Sequence, residues 1–230
     1  VTGIAGLLGS NIARRLTKDH EIVGCDNLIG GLEDNIPTCD FHKIDMLDTK
    51  AVIKAMDGCE MVLHTAALPY EGLSVFSPAI VTQNIVGGTV SVASAAIANG
   101  IDMFINFSSM ARYGDQKAPF TEDMPTAPVD PYGFAKVQAE EQLAFLNKLH
   151  GLRYMTVVPH NVIGIGQRYM DPYRNVVAIM INRLKQGKKV VIYGDGTQKR
   201  SFSNVADCVD AVERIIESDR DLVGEVYNIG

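Results

Sequence analysis

The sequence lacks the features that mark membrane, nucleic-acid-binding and disulfide-stabilised proteins. No apolar run approaches the length of a membrane span, and no basic block offsets the net charge of −6. The cysteines, Cys25, Cys39, Cys59 and Cys208, form no CxxC pair and have no histidine at metal-ligand spacing. We therefore expect reduced thiols, a cytoplasmic location, no metal site, and neither nucleic acid nor membrane as a partner.

The length and composition are those of an ordinary folded domain. Apolar residues make up 47% and charged residues 21% of 230 positions, enough for one large core or one domain and part of another. The chain starts inside a glycine motif at Val1-Thr2-Gly3 and stops in a strand-like stretch at 224–230. Both ends look interrupted, so we expect a fragment of a longer protein whose first strand is truncated.

Short apolar, β-branched runs alternate with helical patterns along the chain, which predicts a parallel sheet covered on both faces. The fold class is therefore α/β, a Rossmann-type doubly wound parallel sheet with part of a smaller α/β substrate-binding lobe at 164–203. The predicted strands are 21–26, 41–44, 61–65, 102–108, 154–159 and 189–193. The predicted helices are 4–19, 49–56, 78–99, 130–150, 170–186 and 205–218.

Three glycines near the start, Gly3, Gly6 and Gly9, have the spacing of a turn that holds a dinucleotide. A tight turn and close backbone approach to a pyrophosphate need a missing Cβ, and the following helix points its free N–H groups at the phosphates. Asp26 ends the next strand, where its carboxylate can accept bonds from a ribose 2′-hydroxyl and would repel a 2′-phosphate. This pattern favours NAD over NADP.

Residues at later strand ends are further cofactor candidates. Asp45 follows the second strand, where it either meets an adenine amino group or caps a loop. Small residues at Thr65, Ala66 and Ala67 would let the backbone approach the cofactor. Asn84 lies in mid-helix, an unfavourable place by propensity, and either makes a functional hydrogen bond or lies at the surface.

The candidate catalytic residues are Ser109, Tyr132 and Lys136. Ser109 follows a strand, and Tyr132 and Lys136 are four apart on a helix, so they share a face. A tyrosine needs its pKa lowered by about three units to act as a base at neutral pH. A nearby ammonium and a nicotinamide cation would lower it by favouring the phenolate. Ser109 would hold the substrate hydroxyl or carbonyl.

Together these motifs resemble those of extended short-chain dehydrogenases/reductases of the nucleotide-sugar epimerase/dehydratase family, with UDP-glucose 4-epimerase-like members. The resemblance spans nearly the whole chain. It rests on TGIAGLLG at 2–9, CDN at 25–27, HTAA at 64–67, FSSMARYG at 107–114, PYGFAK at 131–136, PHNVIG at 159–164 and IYGDGTQKRSF at 192–202. It implies a Rossmann domain at 1–163 and 204–230, a partial substrate lobe at 164–203, and a homodimer.

The resemblance also implies roles for individual residues. Those expected at the cofactor are Gly3, Gly6, Leu7 and Leu8 at the pyrophosphate, Asp26 and Asn27 at the ribose, Asp45 and Met46 at adenine, Thr65, Ala66, Ala67 and Asn84 along the cofactor, and Lys136 and Pro159 with Tyr132 at the nicotinamide end. Those expected at a nucleotide sugar, beside Ser109, are Asn161, Asn175, Tyr193 and Arg200. Tyr193 could instead be a core residue, and Arg200 a surface cation.

The residues after Ser109 bear on the reaction. Related dehydratases and decarboxylases carry acidic side chains at these positions, whereas Met110 and Ala111 cannot transfer protons. We therefore expect 4-epimerisation of a UDP-hexose through a 4-keto intermediate. A dehydratase or net NAD(P)-dependent oxidoreductase of the same family and a non-catalytic dinucleotide sensor remain alternatives.

Two departures from the family pattern, and the role of one further arginine, stay open. Arg112 stands where the family usually has an apolar residue, and His160 replaces one of a commoner aromatic pair. His160 meets the substrate or bonds within the core. Arg112 and Arg168 either bind a carboxylated sugar or are solvated surface residues.

Overall fold

The computed structural model describes residues 1–192 and 194–230. Its main sheet is parallel and runs in the spatial order β2–β1–Thr2–β3–β4–β5–β8, because Thr2 bridges Cys25 on one side and His64 on the other. The strands are β1 (Val23–Asp26), β2 (Asp40–Lys43), β3 (Met61–His64), β4 (Met103–Phe107), β5 (Tyr154–Pro159) and β8 (Val226–Ile229). A separate parallel pair joins β6 (Val162–Ile163) to β7 (Ser203–Asn204).

Helices cover both faces of this sheet. The α-helices in the described part of the chain are α1 (Leu7–Leu16), α2 (Thr49–Ala55), α3 (Glu71–Phe76), α4 (Pro78–Thr82), α5 (Gly88–Asn99), α6 (Pro131–His150), α7 (Val176–Lys185) and α8 (Val205–Ile216). Ile12 of α1 and Val209 of α8 belong to the core on one face, while Val92 of α5 and Leu143 of α6 belong to the core on the other. The predicted doubly wound α/β fold is confirmed.

Thr2 occupies the middle of the sheet, where the order of the strands reverses. On one side of Thr2 lie β1 and then β2, and on the other side lie β3, β4, β5 and finally β8. Ligands of open α/β sheets bind beyond the carboxyl ends of the strands at such a reversal. The glycine turn that begins at Gly3 lies there directly, so the topology selects this edge as the site.

Helix α4 continues through a π-helical segment, Gln83–Gly87, into α5, so the predicted helix 78–99 is interrupted but present. By length and composition alone, an 18-residue window within Pro78–Asn99, with a mean hydropathy of 1.4, is apolar enough to cross a membrane, so the expectation that no apolar run approaches that length is wrong. Half of that stretch is buried within the protein, and Val81, Ile85 and Val92 are core residues. Core packing thus accounts for its apolarity.

The prediction of a strand at 189–193 is wrong for residues 189–192, which have no regular secondary structure, and Tyr193 lies outside the described residues. The predicted helix 170–186 is shorter and begins only at Val176. Among the described residues no strand pairs with the apolar run at 190–192, and a strand pattern without a partner forms no ladder. The domain boundary at 164–203 stays a prediction.

Candidate active site and cofactor cavity

A cavity of about 580 Å³ opens beyond the carboxyl ends of the strands. It falls in the range of ligand pockets and runs from the glycine turn to Tyr132 on α6. Most of the predicted site residues line it together, although they lie far apart in the chain. These are Gly3, Gly6, Leu7, Leu8, Asp26, Asn27, Met46, Thr65, Ala66, Ala67, Asn84, Ser109, Tyr132, Lys136, Pro159, Asn161 and Asn175.

The glycine turn is shaped by close backbone contacts. Gly3 has a φ of +70°, and a Cβ there would lie 2.7 Å from the backbone of Ala66. Gly6 precedes α1 without a side-chain cap, so the N–H groups of Leu7 and Leu8 have no partner within the helix. They border the cavity at the positive end of the helix dipole. The turn therefore offers donors to an anion and leaves room for it.

Asp26 joins the glycine turn to the end of β1. Its Oδ2 accepts a bond from the Ala5 N–H at 3.0 Å, and its Oδ1 accepts one from the Leu28 N–H at 2.8 Å. A carboxylate oxygen has lone pairs for a second bond, so both atoms can still accept from ribose hydroxyls. Together with the uncapped helix, this carboxylate fits the adenosine end of NAD.

The π-helical segment places Asn84 at the cavity. Its Oδ1 accepts a bond from the Leu68 N–H at 2.8 Å, which ties the segment to the chain after β3. π-bulges inside helices are frequent at functional sites. Asn84 is thus held in place rather than exposed as a surface residue.

A segment of residues 165–175, here called the cover segment, crosses the cavity above the glycine turn. Its backbone and side chains are joined by five hydrogen bonds to helix α1 and to the loops after β1 and β3. These are Asn11 to the Ile165 carbonyl at 2.9 Å, Asn35 to the Gly166 carbonyl at 2.8 Å, Arg168 to the Ile29 carbonyl at 2.9 Å, Arg174 to the Gly30 carbonyl at 2.9 Å, and Tyr70 to Asp171 at 2.7 Å. Arg168 is therefore a cavity residue.

The reacting end brings α6 against the end of β4. The Lys136 ammonium donates to the Phe107 carbonyl at 2.7 Å, two residues before Ser109. Burial lowers the pKa of Lys136 to about 8, and the nearby Glu140 opposes this shift. Ser109 caps a 3₁₀ helix, Met110–Tyr113, by accepting a bond from the Ala111 N–H at 3.2 Å.

Tyr132 differs from the sequence expectation in one respect. The pKa of its phenol is raised to about 12, mainly by burial and also by the Glu71 and Asp130 carboxylates. A hydrogen bond with Ser109 and the charge of Arg174 act in the opposite direction. The expected lowering of this pKa by Lys136 is not found, and the Lys136 ammonium instead donates to the Phe107 carbonyl.

Several predicted residues stand apart from the cavity or are already engaged. Asp45 does not line it, because its Oδ2 accepts a bond from Asn27 at 2.9 Å. Arg200 is exposed and donates to the Lys199 carbonyl at 2.9 Å. Asn175 borders the cavity but caps α7 through the Ala178 N–H at 3.1 Å. Tyr193 is not described.

The structure also settles two of the open departures. Arg112 is buried, so the expectation that it is a solvated surface residue is wrong. It pairs with Glu140 at 3.1 Å behind the reacting end and does not line the cavity. His160 is half-buried, and its ring lies 3.3 Å from the Asn161 amide nitrogen, outside the cavity lining.

Residues that the sequence reasoning missed include Glu71, Asn35 and Glu140. Glu71 begins the short helix α3 and lines the cavity near Tyr132, and only the unpredicted fold of residues 71–76 brings it there. Asn35 carries no sequence signal. Glu140 does carry one, since it follows Lys136 by four residues on the same helix. No cluster of His, Cys, Asp and Glu within the described part of the chain could hold a metal ion.

The model of the NAD-dependent epimerase/dehydratase family matches residues 1–230. The chain belongs to that family. NAD is accordingly its cofactor, and the glycine turn, the uncapped helix α1 and Asp26 fit it.

Several curated relatives of this chain carry the name UDP-glucose 4-epimerase. The chain is 36% identical over 227 residues to UDP-glucose 4-epimerase of Mycolicibacterium smegmatis, and the aligned region covers 93% of this chain and 71% of that protein. It aligns with a crystal structure of UDP-glucose 4-epimerase from Thermotoga maritima with UDP-glucose, at TM-score 0.92 and 30% identity, over 100% of this chain and 75% of the other. UDP-glucuronic acid 4-epimerase from Bacillus cereus with UDP-glucuronic acid and NAD gives TM-score 0.91 at 28% identity, over 100% and 76%.

Proposed function

We propose that this protein catalyses the NAD-dependent 4-epimerisation of a UDP-hexose. The observation that carries this proposal is the composition of the reacting end. Ser109 and Tyr132 line the cavity, whereas the neighbouring Met110 and Ala111 supply no acid or base for elimination of water or carbon dioxide. The 4-epimerase names of the relatives support the same reaction.

The chain's own residues handle the proton and hold the sugar. Tyr132 takes the proton from the sugar 4-hydroxyl. It returns the proton after the keto sugar has rotated in the cavity and presents its opposite face. Ser109 binds the reacting oxygen of the sugar, and the Lys136 ammonium provides a positive charge near the reacting end. Bound NAD would accept hydride from C4 of the sugar and return it, and its positive charge would favour the phenolate of Tyr132.

An assay of the full chain with UDP-glucose, UDP-N-acetylglucosamine and UDP-glucuronate tests this proposal. We expect the 4-epimer to form with no lasting change in absorbance at 340 nm, because hydride is returned in each turnover. Accumulation of a keto sugar would refute epimerisation. A stoichiometric 340 nm change would instead support a net oxidoreductase, and NAD binding without turnover would support a sensor.

The Glu71 carboxylate should set part of the pH dependence. It raises the pKa of Tyr132, so Glu71→Gln should lower that pKa. The reaction needs the phenolate, and its fraction at a given pH rises as the pKa falls. The acidic limb of the kcat profile should therefore move to lower pH in Glu71→Gln. Glu217→Gln, at an exposed site at the end of α8, is the matched control. An unmoved limb would show that Glu71 does not act on the base.

We also propose a cytoplasmic homodimer. The support is a group of exposed apolar side chains on α3, α4 and α6, namely Phe76, Ile80, Phe134, Phe145 and Leu149, of which Phe76 is 83% exposed. Apolar patches of this kind mark association surfaces. Light scattering should give twice the chain mass, and Phe145→Glu should return a monomer with the same helix content. A monomeric wild-type protein at micromolar concentration would contradict the proposal.

A further inference from the structure

A buried charged group lies next to the reacting end, on the face of α6 that carries Tyr132 and Lys136 but beyond the cavity lining. Glu140 is one helical turn after Lys136, and its Oε1 accepts a bond from the Ser108 hydroxyl. Its Oε2 lies 3.1 Å from Nη2 of Arg112. The side chains of Arg112 and Glu140 are only 9% and 12% exposed. Both carboxylate oxygens are thus occupied by partners other than Lys136.

Two side chains of α6 therefore hold consecutive residues at the end of β4. Lys136 donates to the carbonyl of Phe107, and Glu140 accepts from the side chain of Ser108. The next residue is Ser109, which lines the cavity. A shift of α6 against β4 would change the position of Tyr132 relative to Ser109, and misplacement by about 1 Å can cost about 10²-fold in rate.

Arg112 occupies an unfavourable site for a cation. Its Nε and Nη1 atoms are buried without a hydrogen-bond partner among the residues that the structure describes. The guanidinium carbon lies 5.2 Å from the centre of the Tyr113 ring, which offers only a cation–π contact. A buried carboxylate without a countercharge is strongly destabilising, so neutralising Glu140 accounts for this placement.

The other titratable groups around the pair leave Lys136 as its alternative partner. Glu141 lies on the same helix, and Tyr154 approaches Glu140 from β5. His64 on β3 faces Lys136, but burial lowers its pKa to about 3, so it is neutral. Without Arg112, the nearest countercharge for Glu140 is the Lys136 ammonium, which also feels the Glu140 charge.

We propose that Glu140 is a positioning residue for this reaction, whose buried carboxylate holds Ser108 and the end of β4 against α6. Arg112 completes this role by neutralising Glu140, so that Lys136 stays bound to the Phe107 carbonyl instead of pairing with Glu140. The proposal rests on the proposed function, because the placement of Ser109, Tyr132 and Lys136 matters to that reaction.

The test compares Glu140→Gln, Arg112→Val and Ser108→Ala with Glu141→Gln, an exposed neighbour on the same helix, as the control. We expect kcat to fall about tenfold in each of the first three variants, with KM and bound NAD within about twofold of wild type. The control should retain kcat within about twofold. If Glu140→Gln does not fold, Arg112→Val and Ser108→Ala decide the same question.

A second readout separates positioning from a purely structural role. The titration of Lys136 can be followed by NMR of protein labelled with ¹³C at the lysine ε-carbon, with the Lys136 signal assigned by its loss in Lys136→Met. Glu140→Gln removes a negative neighbour and should move this titration to lower pH. Arg112→Val leaves Glu140 without its countercharge and should move it to higher pH.

Opposite shifts with lowered kcat would support the proposal. Unmoved titrations, shifts in one direction only, or kcat values equal to the control would overturn it, even if the melting temperature falls. The NMR titration needs no turnover. A wild-type protein that epimerises no UDP-sugar would therefore refute the proposed function while the titration still decides the charge relation among Glu140, Arg112 and Lys136.

Discussion

Replacing Tyr132 with Phe should lower kcat for UDP-sugar epimerisation by about 10³-fold, the usual contribution of a positioned general base. In the proposed reaction the phenol takes the proton, and the variant lacks only that oxygen. The ring packs with Val81, Ile85, Ala135 and Ala139, so the fold should be retained. Steady-state kinetics, with bound NAD quantified in the same preparation, checks this result.

Tyr227→Phe is the matched control, because it removes a phenol oxygen on the edge strand β8, away from the cavity lining. It should keep kcat within about twofold. If Tyr132→Phe retained more than a tenth of the wild-type rate, the base would have to be another group, and the proposed function of Tyr132 would be wrong.

Gly9→Ala should remove bound NAD and destabilise the protein by about 2 kcal/mol. A Cβ at Gly9 would overlap the Gly3 carbonyl oxygen and lie 2.8 Å from Thr65 Oγ1. Neither neighbour can yield easily, because Gly3 belongs to the turn and Thr65 Oγ1 donates to the Thr2 carbonyl at 2.7 Å. Helix α1 must then move away from the turn, and NAD affinity should fall by more than about tenfold.

Gly87→Ala provides the comparison for that prediction. Its added Cβ would lie 3.4 Å from a terminal carbon of Leu47, an ordinary contact with a flexible side chain. Gly87 has helical backbone angles, so alanine should leave stability unchanged or raise it by about 0.5 kcal/mol. Thermal unfolding and chromatography of the released cofactor measure both effects. Full NAD content in Gly9→Ala would show that the turn tolerates a side chain.

The cofactor end of the site was readable from the sequence because it depends on local rules. The glycine spacing, the carboxylate at the end of β1 and the small residues after β3 each reflect a steric or hydrogen-bonding need of one short segment. The structure places Gly3, Asp26 and Ala66 around one cavity. The position of Asp45 could not be predicted from local rules, because its carboxylate is bonded to Asn27, a residue 18 positions earlier in the chain.

The charges at the reacting end were not readable in the same way. The Tyr132–Lys136 spacing correctly predicts two residues on one helix face, yet burial raises the pKa of Tyr132 and Lys136 binds a backbone carbonyl. Arg112 looks like a surface cation in the sequence. It is buried because Glu140, 28 positions later, meets it in the core.

The sequence by itself determined the alternation of strands and helices, the dinucleotide turn and the candidates for the reacting side chains, since periodicity and glycine spacing act over a few residues. Only the tertiary structure decided which of those side chains share the cavity, how each is charged, and that Glu71, Asn35, Arg112 and Glu140 surround them. Solvation and Coulomb interactions depend on distances between segments, and those distances exist only once the sheet and its helices have packed.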